Sequence, residues 1–306
     1  VLRGVLLIAL AALAWGTTGS VSTVLIERAG AEPLLIGTAR LWLAALLLLP
    51  AARLAGGRAG LGPPALAAGL GMGAAMAAYQ AFYFSAVPRA GIAVAALVAI
   101  CSAPLMIAVL AAVLLGERLT ARVGLALALG VVGTALLVAG PETARAAPEA
   151  TAGVALALGA GLAYAGYAVT ARAFVTRTSA LGLTAWSFAA AALLSVPLGL
   201  STTDPLGQLR RGWPWLLYLG AVATAAAYAL YAQGLRRVPA AVAGVVTLVE
   251  PLTATLLGVL VFGERLGTRG AAGAALLLGA IGLLIPPGSG PRIRTGRAGS
   301  AATPPG

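Results

Sequence analysis

The feature that most constrains this chain is a series of long apolar runs separated by short polar connections. The first five cover residues 4–26, 34–54, 64–87, 91–115 and 123–140. After a polar stretch holding Glu142, Arg145 and Glu149, five more cover residues 152–172, 181–200, 213–235, 240–262 and 269–285. A helix needs about 20 apolar residues to cross a 30 Å hydrocarbon core, which is the size of these runs. Mean hydropathy is +0.99 and only 9% of residues are charged, against roughly 25% in soluble domains. A water-soluble globular fold is therefore excluded, and the expectation is an all-α integral membrane protein with ten transmembrane helices, five plus five. The first run follows Arg3 as a signal peptide would, but it spans a full bilayer without a convincing cleavage site and reads as a retained helix.

All twenty basic residues are Arg, the net charge is +12 and the pI is near 11.3. In a soluble protein this would suggest nucleic acid; here the charge sits in short loops, and no nucleic-acid partner is implied. With the N-terminus inside, Arg3, Arg53, Arg58, Arg118, Arg122, Arg172, Arg177, Arg236, Arg237, Arg292, Arg294 and Arg297 fall on the inner side. Arg28, Arg89, Arg145, Arg210, Arg211, Arg265 and Arg269 fall outside, and Arg40 lies within the second run. The positive-inside rule then predicts a multi-pass protein of the inner (plasma) membrane with both termini cytoplasmic. Residues 287–306 are rich in Pro, Gly, Ser, Thr and Arg, a composition that cannot offset ordering entropy, so a disordered basic cytoplasmic tail is expected. One cysteine, Cys101, allows no internal disulfide, and the absence of His removes the usual zinc and haem ligand sets, so no metal and no cofactor are predicted.

Shifting the sequence by 147 residues lays Pro104-Leu105 on Pro251-Leu252, and Gly116-Glu117-Arg118-Leu119 on Gly263-Glu264-Arg265-Leu266. Tyr83-Phe84-Ser85-Ala86 falls near Tyr231-Ala232-Gln233-Gly234, and Trp15-Gly16 near Tyr164-Ala165. The halves read as copies of one five-helix unit, residues 1–140 and 152–286, joined by a linker at 141–151. An odd number of helices per copy puts the copies in opposite orientations, the inverted-repeat pattern of transporters that rock one bundle against another around a site near the midplane.

On these residues the chain resembles the EamA branch of the drug/metabolite transporter superfamily over about residues 3–286. The resemblance rests on Trp15-Gly16, Pro33 followed by Arg40, and the run from Tyr83 through Pro104 to Gly116-Glu117-Arg118-Leu119. The second copy, with Glu250-Pro251 and Gly263-Glu264-Arg265-Leu266, is the stronger match. It departs from the first where Glu250 faces Ala103. The resemblance implies movement of small metabolites, often amino acids or related compounds, through a central cavity, and a homodimer contact on helices five and ten in some members.

Candidate substrate-binding residues follow from chemistry that is costly in lipid. Pro104 and Pro251 each remove a backbone donor in equivalent helices and free the carbonyls of Ile100 and Thr247, marking either helix breaks at a site or packing kinks. Glu250 is the one acid well inside a run, where a central charge costs on the order of 3 kcal/mol or more; it is a candidate for proton coupling and substrate contact, or a hydrogen-bonded structural group. Arg40 either meets an anionic substrate group, pairs with Glu250, or snorkels outward. Tyr79, Gln80 and Tyr83 on the third helix match Tyr228, Tyr231 and Gln233 on the eighth. Trp15, with Thr17, Thr18 and Ser20, matches Tyr164, Tyr167 and Thr170 on the sixth. Polar-edged rings of this kind suit a cavity that orients a zwitterion or planar metabolite, although Tyr and Trp also anchor at membrane boundaries, the reading preferred for Trp213, Trp215 and Tyr218. Gly124, Gly130 and Gly133, with Gly273, Gly279 and Gly282, read as close helix-crossing sites.

A G-x-x-x-x-G-K-[ST] loop is impossible without lysine, so ATP-driven transport by this chain is excluded. The leading expectation is a secondary transporter, an exporter of a small metabolite working by alternating access. The alternatives are a non-transporting membrane assembly subunit and, with almost no material for a catalytic constellation, an integral-membrane enzyme.

Overall fold

A computed structural model describes residues 1–55, 61–138, 150–262 and 267–284. The Gly263-Glu264-Arg265-Leu266 motif, residues 141–149 of the expected linker and the expected tail at 287–306 lie outside the described residues. The helices are α1 (Leu2–Gly16), α2 (Thr18–Ala29), α3 (Pro33–Leu54), α4 (Pro63–Ala90), α5 (Ile92–Leu115), α6 (Ala121–Val138), α7 (Ala150–Val175), α8 (Ala180–Leu200), α9 (Pro205–Gly220), a π-helix (Ala221–Ala226), α10 (Ala227–Leu235), α11 (Ala240–Val246), α12 (Val249–Phe262) and α13 (Thr268–Leu284). Prolines at the first turn open α3, α4 and α9, where a missing N–H costs nothing.

These helices make ten spans. The first joins α1 to α2 across Thr17, the eighth joins α9 to α10 through the π-helix, and the ninth joins α11 to α12. Nine of the ten, among the described residues, are at least 18 residues long and strongly apolar; the tenth, α13, has 17. At 1.5 Å per residue 17 residues span about 25 Å, the low end of what crosses a bilayer. Exposed leucines and valines, such as Leu46, Val113, Leu193 and Leu260, cover the outside of the bundle, where lipid rather than water is the solvent.

The packing repeats with the copies exchanged. The first span lies on the eighth as the third lies on the sixth, and the sixth lies on the fourth as the first lies on the ninth. The second span packs on the seventh, the fourth on the ninth and the fifth on the tenth, each pair joining equivalent helices. Such an exchange is what a pseudo-two-fold axis between inverted copies produces. On that axis Gly133 of α6 meets Gly273 of α13 so closely that a Cβ on Gly133 would stand 2.8 Å from the Gly273 carbonyl oxygen. These two glycines join spans within one chain. Gly124, Gly279 and Gly282 have open space where a Cβ would sit, so the close-crossing role expected of all six glycines belongs to Gly130, Gly133 and Gly273.

The two prolines expected to break equivalent helices behave differently. Pro104 sits inside the unbroken α5, with Gly244 of α11 against its ring. Ahead of Pro251 the helix is broken at Thr247 and Leu248. The Thr247 hydroxyl donates to the Gly244 carbonyl at 2.7 Å, and the Thr247 carbonyl, which proline leaves without its usual donor, accepts from the Glu250 N–H at 2.9 Å.

Candidate functional site

The break in the ninth span places Glu250 in the first turn of α12, where the helix dipole favours a negative charge. The first span has its own turn, at Thr17 between α1 and α2. The Thr17 hydroxyl there donates to the Ala14 carbonyl at 2.7 Å and lies 2.9 Å from the Tyr218 hydroxyl. Gly16 lets the two interrupted spans touch, since a Cβ on it would stand 2.7 Å from the Glu250 carbonyl oxygen. Thr17 and Thr247 both keep right-handed helical dihedrals (φ −80°, ψ −15° and φ −63°, ψ −17°), so the two irregularities are tightened turns, which leave backbone polarity available for other partners.

Around this junction the aromatic residues form one connected network. The ring of Trp15 lies 4.8 Å from Tyr228, 5.3 Å from Tyr231 and 6.4 Å from Tyr164, centroid to centroid. Tyr79 stacks on Tyr83 at 5.9 Å and reaches Tyr164 at 6.2 Å, while Tyr167 contacts Tyr164, Tyr228 and Phe188. Five spans, the first, third, sixth, seventh and eighth, thus contribute rings to one cluster. Phe188, 4.7 Å from Tyr228, has no aromatic counterpart under the 147-residue shift, so the repeat gave no signal for it. Immediately upstream of Tyr228, the π-helix lets the Thr224 hydroxyl donate to the Leu219 carbonyl five residues back at 2.7 Å. Such π-turns widen a helix by one residue and recur at functional sites.

Arg40 points inward rather than snorkelling to the interface. Its charge and that of Glu250 both act on Tyr79, Tyr83 and Tyr228, so the two opposite charges face the same cluster. They feel each other electrostatically, and close ion pairs such as Arg172–Glu117 and Arg211–Asp204 lie elsewhere. Arg40, Tyr79, Tyr83, Tyr164 and Glu250 are half-buried despite their depth in the bundle, while Trp15, Tyr167, Tyr228 and Tyr231 are buried. These five half-buried side chains are the members of the group that a solute could reach.

Polar atoms in this region outnumber their protein partners. Among the described residues, the buried side-chain atoms without a hydrogen bond are Trp15 Nε1, Arg40 Nε, Gln80 Nε2, Tyr164 Oη, Tyr231 Oη and Thr134 Oγ1. All but Thr134 belong to the candidate set. The Tyr164 and Tyr231 hydroxyls act on each other without meeting full hydrogen-bond geometry. Gln80 is buried against Gly37, whose missing side chain makes room for its amide. Pro104 and Pro251 are buried behind the cluster rather than joined to it by ring contacts. Trp213 and Trp215 face outward, 62% and 41% exposed, whereas Tyr218, grouped with them as a boundary anchor in the sequence, turns in to Thr17.

Ten apolar spans in exchange-symmetric packing, with two interrupted helices meeting at an aromatic, oppositely charged cluster, define a polytopic membrane transporter of the inverted-repeat class. The chain belongs to the EamA-like transporter family, which it matches over residues 2–139 and again over 151–285, and thereby to the drug/metabolite transporter superfamily. It is 36% identical over 283 residues, 92% of each chain, to a Bacillus subtilis (strain 168) protein described as the uncharacterized transporter YwfM. An uncharacterized transporter of Archaeoglobus fulgidus is 31% identical over 201 residues, 66% of this chain and 70% of that one. A solved crystal structure with 26% sequence identity superposes with a TM-score of 0.79, covering 92% of this chain and 95% of the other.

Proposed function

We propose that this chain is a secondary transporter that moves a small zwitterionic metabolite, of the amino-acid kind, out of the cell through the Trp15–Tyr79–Tyr164–Tyr228–Tyr231 cluster by alternating access. One observation carries the reading: among the described residues, five of the six buried polar atoms without a hydrogen bond, on Trp15, Arg40, Gln80, Tyr164 and Tyr231, belong to residues singled out as candidates for solute contact. Each such atom costs about 1–3 kcal/mol when nothing pairs with it, and that cost is offset when a polar solute offers the missing partners. Arg40 is a forked donor suited to a carboxylate. Glu250 is an acceptor suited to an ammonium group, and the rings between them favour a cation over their faces. Opposite charges held near each other without touching match a solute that carries both.

In this reading both termini are cytoplasmic, the membrane is the inner (plasma) membrane, and residues 1–140 and 152–286 are the repeats that rock against each other. Glu250 is the candidate proton carrier, because Ala103 leaves no second acid at the matched position. Spans five and ten carry any homodimer contact.

The test is an untargeted analysis of metabolites released by cells overproducing the protein. Release of one or more zwitterionic metabolites, lost on Arg40→Gln, supports the proposal. A released set confined to anions or neutral compounds, or one unchanged by Arg40→Gln in protein that reaches the membrane, overturns the substrate class.

A further inference from the structure

The face of the bundle where α1 begins also receives the ends of α5, α7 and α10 and the start of α11. There Gly116, in the left-handed conformation at φ 66°, ends α5 and turns the chain, so that Glu117 reaches across to the second copy. The Glu117 carboxylate accepts from the Ala240 N–H at 3.0 Å and the Ala241 N–H at 3.4 Å, capping the first half of the broken ninth span. It also pairs with Arg172 Nε at 3.4 Å, and Arg172 Nη1 donates to the Leu235 carbonyl at 2.9 Å. Four spans, the fourth, sixth, eighth and ninth, are thus tied by two side chains. The first joins them where Gly4 lies under Arg237 and Val238.

Beneath this tie Val175, Leu235, Val238 and Ala240 are fully buried. Accessibility of the cluster is graded along the bundle. Tyr83, Tyr79, Arg40, Tyr164 and Glu250, toward the opposite face or at mid-depth, are half-buried, while Tyr228, Tyr231 and Tyr167, nearer the N-terminal face, are buried. The accessible side chains of the cluster thus lie toward the face opposite the N-terminus, and the buried ones toward the N-terminal face.

We infer that Glu117 and Arg172 form the gate of the N-terminal face: their bonds to Ala240, Ala241 and Leu235 hold that face closed in the state seen here, and they must part when the cavity opens to it. This rests on the transporter reading above. Charge-assisted hydrogen bonds to a half-helix terminus suit a gate because they are strong in one geometry and are replaced by water when the ends separate. The broken ninth span allows α11 to move with the gate while α12 keeps Glu250 in place.

The experiment reads accessibility without needing a substrate. In a Cys101→Ser background, Val238→Cys reports the seal and the half-buried Val87→Cys reports the opposite face, each labelled with a membrane-impermeant maleimide in vesicles of known sidedness. In Glu117→Gln the Val238→Cys thiol is expected to react about tenfold faster from the N-terminal side, and Val87→Cys more slowly from the other. Arg172→Gln is expected to act the same way to a lesser extent. A bifunctional thiol cross-link between Glu117→Cys and Ala241→Cys is expected to abolish Val238→Cys labelling, reversibly on reduction, and this arm stands if the single variants fail to fold. Unchanged Val238→Cys labelling in folded Glu117→Gln, or in the cross-linked protein, overturns the gate. Absence of flux for any solute would count instead against the transporter proposal, leaving the labelling result to stand on its own.

Discussion

The fourth and ninth spans are equivalent in sequence and different in structure, and the difference shows where the molecule has specialised. Under the shift of 147, Ile100, Ala103 and Pro104 correspond to Thr247, Glu250 and Pro251. The proline is common to both, yet α5 runs unbroken through Pro104 while the ninth span breaks before Pro251. Thr247 bonds the Gly244 carbonyl three residues back, but Ser102 makes the same bond to Ala99 beside Pro104 in the unbroken α5, so neither the proline nor a back-bonded hydroxyl by itself opens the helix. The same copy carries the π-helix ahead of Tyr228, whereas its counterpart α4 is regular. The second copy holds the π-helix, the turn ahead of Pro251 and the half-buried Glu250, while the first supplies Arg40 and the turn at Thr17.

The largest expected effect removes the acid. If Glu250 carries a proton, Glu250→Gln abolishes accumulation driven by a pH gradient while gradient-free exchange persists, because exchange needs the cavity and not the proton. Adding Ala103→Glu does not restore accumulation, since the unbroken α5 offers no helix start to hold the charge. Rescue would show that the two copies are interchangeable and break the comparison. Flux measured in liposomes with and without a pH gradient distinguishes these outcomes.

Next is Arg40→Gln, expected to raise KM for a zwitterion by about ten- to a hundredfold, the range for losing a charge-assisted contact of about 1.5–3 kcal/mol, with little change for a neutral analogue. An equal loss for both would reassign Arg40 to structure.

Pro251→Ala restores a donor for the Thr247 carbonyl. The account predicts a Tm raised by a few degrees, on the order of 1 kcal/mol of added stability, together with transport lowered several-fold as the ninth span stiffens. Pro104→Ala is expected to leave transport within about twofold of wild type, because α5 is already continuous. Equal effects of the two substitutions would erase the asymmetry.

Much of the cluster was legible in the sequence because the repeat puts Tyr79 and Tyr83 opposite Tyr228 and Tyr231, and Trp15 opposite Tyr164, and because buried polar rings are costly enough in lipid to need a purpose. The break at Thr247 was half legible: proline marked the level but gave the same signal in α5. Phe188 was hidden, being one ring among alanines whose neighbours depend on the crossing of the seventh and eighth spans. Glu117 was half legible: within the Gly-Glu-Arg-Leu motif it reads as either a structural helix-end charge or a gating group, and its partners at the start of α11 come only from the structure.

The smallest effect concerns the face opposite the N-terminus, where the copies are joined by neutral and charged groups together. Glu32 accepts from the Thr203 N–H at 2.8 Å, the Thr203 hydroxyl and Gln208 Nε2, and the Thr203 bonds above all hold its carboxyl below the ordinary 4.5. A group whose folded value is depressed stabilises the fold above its unfolded value, so this contribution is full at neutral pH and is lost as pH falls below about 4.5 and through the lowered value. Glu32→Gln is expected to flatten the dependence of Tm on pH between about 5 and 3 by a small margin, the group being solvent-exposed. An unchanged slope would mean the junction is held by Gln208 and Arg211 instead.

The most direct measurement is label-free exchange in liposomes containing the purified chain and loaded with a mixture of amino acids and related zwitterions, followed by mass spectrometry. The account predicts that the wild-type protein equilibrates at least one zwitterion well above protein-free liposomes, and that the doubly substituted Arg40→Gln/Glu250→Gln protein, folded and inserted, does not. Exchange by the double variant at the wild-type rate, or movement by the wild type of nothing in the mixture beyond the protein-free rate, would contradict a zwitterion site at the meeting of the two broken spans.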